Sequence, residues 1–148
     1  MTTTKRLAAI AAFLFTLVPA LAFAQTDSPN EEKRIMNYHL TMDTVRKTAD
    51  ATAKAKATGY KDDDRSARNL DEGIRMLEAD AKLKPVFAAA GISAKDYWMT
   101  VNALLHASMA GALPPDAVPA EARPNVEFMK ANKKELDPLL KIIFDKSK

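Results

Sequence analysis

The chain has 148 residues, 47% hydrophobic and 28% charged, with 22 Lys and Arg against 19 Asp and Glu, two histidines and no cysteine. The missing cysteine excludes a disulfide framework, thiolate metal ligation, covalent c-type haem and a lipidated N-terminal cysteine, so packing alone must hold the fold. A net charge of +3 is too slight to recommend a nucleic-acid partner.

Residues 1–24 read as a targeting segment. Lys5 and Arg6 form a positive n-region, Leu7 to Leu21 an apolar core, and Ala22-Phe23-Ala24 a small-x-small cleavage site. Leu7 to Ala24 could just span a bilayer, but the cleavage site favours removal, which leaves no stable membrane insertion. Taking these 24 residues from the 148 leaves a mature chain of 124, the size of one domain with one core, spanning residues 25–148. Lys5 and Arg6 go with the leader, so 20 basic residues then face 19 acidic ones. The expected address is the periplasm or the medium.

The mature chain reads as helices throughout. Ser28-Pro29-Asn30-Glu31 combines a capping box with proline at the first helical position. Ile35, Tyr38, Met42, Val45, Ala49 and Ala53 follow as a stripe, which predicts one long helix ending at a left-handed Gly59. Asp62-Asp63-Asp64 lacks the glycine and glutamate of a calcium loop, because the required places hold Ala67 and Gly73. The three aspartates read instead as a turn before the next helix.

That helix is predicted over 66–84 on the stripe Ala67, Leu70, Ile74, Leu77 and Ala81, with Gly73 beside it marking close approach of a neighbour. A bend at Pro85 then leads through Val86 and Phe87 to Gly91. Gly91 to Gly111 is the central helix. Ser93 and Asp96 cap it, and apolar residues cover nearly its whole circumference, so other helices must surround it.

Gly111 to Arg123, GALPPDAVPAEAR, is a stiff 13-residue connection, long enough to cross a bundle. Pro124 opens a fourth helix, and Asp137-Pro138 predicts a break before a last short helix bearing Leu139, Leu140, Ile142, Ile143 and Phe144. The expected fold is all-α: an irregular bundle of four main helices plus one or two short ones, after a cleaved signal peptide.

Chemistry is sparse in this chain. Met36, His39 and Met42 make an M-x-x-H-x-x-M pattern that His106 and Met109 half repeat, a donor set suited to copper or b-type haem. Helical methionines more often fill core gaps, so neither metal nor cofactor is assigned. His39 and Asp43 stand four apart, but no nucleophile elbow, phosphate loop or H-E-x-x-H accompanies them, so no enzyme is expected. Trp98, Asn102 and His106 share one stripe of the central helix, the one polar strip on an apolar element and the candidate ligand-binding set.

The runs GISAKDYW (91–98) and NVEFMKANKKEL (125–136) resemble a pattern in small exported bacterial proteins, a resemblance that implies export and assigns no residue a role. The reading is an exported, non-catalytic protein that binds another envelope protein or a small apolar ligand. The alternative is a periplasmic copper or b-type haem carrier using the histidines and methionines.

Overall fold

The computed structural model describes residues 29–60 and 67–145, and every regular element among them is helical. The leader expected at 1–24 and the acidic turn at Asp62–Asp64 lie outside the described residues. In chain order the helices are α1 (Pro29–Met36), α2 (Met42–Ala57), α3 (Leu70–Ala79), α4 (Leu83–Ala90), α5 (Ala94–Gly111), α6 (Arg123–Ala131) and α7 (Lys133–Phe144). A 3-10 turn at Ala120–Ala122 precedes α6. Seven α-helices among the described residues replace the four main and one or two short ones that the pattern predicts.

The largest departure is at the start. The apolar stripe runs on past Met36, yet the chain leaves the helix between α1 and α2. Thr41 is extended (φ −129°, ψ 153°), and its hydroxyl accepts the Thr44 N–H at 3.1 Å while Thr44 Oγ1 accepts the Thr41 N–H at 3.3 Å. This second capping box starts α2 afresh. At the other end Gly59 (φ 70°) lies just past the C-cap, in the left-handed conformation that its position predicts.

The break between α3 and α4 falls at Asp80, earlier than the bend predicted at Pro85. Asp80 Oδ1 accepts the backbone N–H of Lys82 at 2.8 Å and of Leu83 at 3.3 Å, so it satisfies donors that α4 would leave open. Pro85 then sits in the first turn of α4, where its missing N–H costs nothing. At the N-terminal end of α3, Asn69 Oδ1 accepts the Glu72 N–H at 2.8 Å.

Helix α5 is the axis of the molecule. Ser93 Oγ accepts the Asp96 N–H at 2.9 Å and donates its own proton to Asp96 Oδ2 at 2.7 Å. Ten residues of α5 are buried, Leu104 completely, and α1, α2, α3 and α6 all pack against it. Helix α2 is the second hub, between α4, α5 and α7.

The proline-rich connection does not cross the bundle. Gly111 belongs to α5, and the remainder turns back so that α6 packs directly on α5. The Ala117 N–H to the Pro114 carbonyl (2.9 Å), Arg123 Nε to the Val118 carbonyl (3.3 Å) and the buried Val118 side chain hold this turn.

Nor does Pro138 break the last helix. The break comes at Asn132, whose Nδ2 donates to the Phe128 carbonyl at 2.8 Å. Leu136 and Ile143, both buried, stand two turns apart on the side of α7 that meets α2, so a continuous helix seats both. Pro138 faces solvent, where water can take the carbonyl it leaves without a donor. Arg46 pairs with Glu135, and Lys56 Nζ reaches the carbonyls of Ile142 and Asp145, fastening the end of α7 to α2.

A candidate ligand strip on the central helix

Trp98, Asn102 and His106 lie along one side of α5, but in three different surroundings. Trp98 is 2% exposed and its indole lies flat against Gly73 of α3. A Cβ at position 73 would stand 2.6 Å from both Nε1 and Cε2, inside any van der Waals contact. The glycine inside α3 is therefore the seat of the tryptophan, as its place beside the stripe suggests. The buried indole N–H meets no hydrogen-bond partner among the described residues.

Asn102, also buried, turns its amide back along its own helix, Nδ2 donating to the Trp98 carbonyl at 2.8 Å. His106 is half-buried. Burial pushes its imidazole below the ordinary value of 6.5, and the nearby Glu32 carboxylate of α1 opposes that shift. The strip is thus covered at Trp98 and Asn102, and reaches solvent only at its His106 end.

The metal-ligand pattern is differently dispersed. Met36 and Met42 are partly buried against the core, whereas His39 is exposed in the junction between α1 and α2. Because the helix is broken there, the three residues do not share the single helical face that their spacing implies. Asp43 pairs with Lys47 at 2.7 Å, and Met109 is 58% exposed. Among the described residues no three of His, Asp and Glu converge to hold an ion, and no helix is long and apolar enough to cross a membrane.

Two polar arrangements escape sequence reasoning. Asn125 of α6 is buried, and its Oδ1 accepts the Leu40 N–H at 3.1 Å while Nδ2 donates to the Tyr38 carbonyl at 2.8 Å and, more distantly, to that of Met36 at 3.4 Å. One side chain so satisfies the backbone groups that the break between α1 and α2 exposes. The sequence signal is faint: an asparagine one residue after Pro124 reads as part of a helix start.

The second is a seam of hydroxyls where Tyr38 and α2 meet α5. The Tyr38 hydroxyl donates to Asp96 Oδ1 at 3.3 Å and lies 3.3 Å from Thr100 Oγ1, and burial pushes the phenol above its ordinary value. Thr52 Oγ1 donates to the Thr48 carbonyl at 2.8 Å and stands 3.1 Å from the Tyr97 hydroxyl. The Tyr97 ring also lies 5.1 Å from that of Phe87 on α4, tilted at 47° to it. These contacts fix the register of α2 on α5. No protein-family model matches this chain, and no curated protein or solved structure matches it either.

Proposed function

We propose that this chain is an exported, non-catalytic binding protein and that its ligand is another protein of the cell envelope. The observation that carries the reading is a pair of large apolar side chains left in solvent where α5 runs into the proline-rich turn: Met109, 58% exposed, and Leu113, 46% exposed. They stand four residues apart, beside the half-buried Leu105, and Pro114-Pro115 stiffens the chain that follows. Apolar groups grouped on one rim suit a protein contact better than a deep small-molecule cleft, since Trp98 and Asn102 are already covered. Export rests on the n-region, apolar core and A-x-A site of residues 1–24.

The test is expression with the native leader, N-terminal sequencing of the envelope fraction, and in-cell crosslinking of wild type beside a Met109→Asp/Leu113→Asp variant. A mature terminus at Gln25 and a discrete crosslinked species lost only in the variant are expected. An intact Met1 in the membrane fraction would overturn export. A crosslinking pattern unchanged by the substitutions would overturn the binding surface.

A further inference from the structure

Among the described helices, α1 buries the fewest residues. Ile35 is its one buried residue, whereas α6 and α7 bury two each and the rest more. It packs on α5 and on the 3-10 turn. Its tie to α3 is the Arg34 fork on Asp71, with Nη1 to Oδ2 at 3.2 Å and Nη2 to Oδ1 at 2.9 Å. Both side chains are exposed (44% and 59%), and ion pairs in solvent hold weakly.

Glu31 adds no hold to the bundle: its Oε2 meets no hydrogen-bond partner among the described residues. Beyond the fully buried Ile35 and the partly buried Met36, the chain that follows is capped and held without α1. The Thr41–Thr44 capping box completes α2 on its own, and Asn125 grips the chain at Tyr38 and Leu40 rather than within the helix. Its contact to the Met36 carbonyl, at 3.4 Å, is the weakest of the three.

We propose that α1 is a strap that swings off the bundle as one unit, hinged at Asn37 just ahead of the gripped Tyr38, and uncovers the His106 edge of α5 while α2 to α7 stay folded. Helix α1 packs on α5, and its Glu32 stands close enough to His106 for the two charges to interact. The proposal stands apart from the Met109 and Leu113 surface and does not depend on it.

Hydrogen exchange on the intact chain, read by mass spectrometry, tests the unit motion. The amides protected by α1 are those of Lys33 to Tyr38, the last two bonded to the carbonyls of Lys33 (2.9 Å) and Ile35 (3.1 Å). They are expected to exchange together and at least about tenfold faster than Val101 to Leu105, as a sub-global opening does. Asp71→Asn and Arg34→Gln should each speed them several-fold and leave α5 unchanged. Carbethoxylation by diethyl pyrocarbonate supplies a second readout, with the exposed His39 as internal standard. Relative to His39, His106 should react faster in both variants. Exchange of α1 at the rate of α5, protection graded along α1 as in simple fraying, or a His106 reactivity untouched by both substitutions would each overturn the strap.

Discussion

At the scale of single residues, Gly73 and Trp98 determine each other. Glycine in a helix interior ordinarily costs about 1 kcal/mol relative to alanine, so Gly73→Ala would stabilise α3 if space allowed. Space does not allow it, with the indole 2.6 Å from the added carbon. Gly73→Ala should therefore destabilise by roughly 1–3 kcal/mol, the range for overpacking. Chemical denaturation followed by far-ultraviolet circular dichroism measures it, and Trp98→Phe in the same background should recover part of the loss. A more stable Gly73→Ala protein would show that the ring can move away.

His106 sets a pH dependence at the same scale. Its folded value lies below 6.5, so as pH falls through 6.5 the unfolded chain binds the proton before the folded one does. The stability due to this group is complete above that pH. It declines as pH drops from 6.5 towards the folded value, then levels off. Denaturation midpoints measured from pH 7.5 down to 5 should show this slope in wild type, and a shallower one in His106→Gln. An identical slope in the variant would assign the effect to other groups.

Among the elements, the instructive ones are those whose boundaries tertiary contacts moved. The caps at Ser93, Gly59 and Gly91 are legible because each is a local matter of backbone and one side chain. The break after α1 is not, since the stripe from Ile35 to Val45 reads as continuous and the residue that satisfies the break is 85 positions away from Leu40. Asn125→Ala should cost about 1–3 kcal/mol, the range for leaving buried backbone groups unpaired. Asn125→Asp keeps the acceptor for Leu40 and loses the donor to Tyr38, so it should not restore stability. Equal stability of wild type and Asn125→Ala in urea would mean water replaces the side chain.

Pro138 is the converse case, a strong local breaker overruled by packing. Because α7 continues through it to seat Leu136 and Ile143, the proline forgoes a hydrogen bond that alanine would make. Pro138→Ala should raise stability by roughly 1–3 kcal/mol, somewhat under the intrinsic penalty of proline in a helix. Thermal and urea unfolding would both report it. A loss instead would mean that the bend at proline shapes α7 to α2.

Over the whole molecule, the all-helical class and the central place of Gly91–Gly111 were legible, because a helix apolar on all sides admits one arrangement only. Leu104 lies at that centre, fully buried, and Leu104→Ala should cost about 2–5 kcal/mol. Ala53 is exposed on α2, and Ala53→Ser should cost under about 0.5 kcal/mol in the same denaturation experiment. The candidate strip was legible as a spacing and not as an environment. Which neighbours cover Trp98 and Asn102, and which leave His106 at an edge, depends on α3 and α1, whose placement no local pattern encodes.

The grip of Asn125 on Tyr38 and Leu40 has a consequence for the order in which the chain assembles. During synthesis the first helices emerge long before position 125 exists to meet them. The partners that α2 finds in Glu135 and at the end of α7 come later still. An N-terminal fragment can coil, but it cannot close its own junction or cover its second hub. Assembly is therefore post-translational in logic: contacts of high sequence separation close the structure last, and loop closure over that distance sets its pace. A chain interrupted before its final quarter presents, to chaperone or protease, two unsealed helices and an open core.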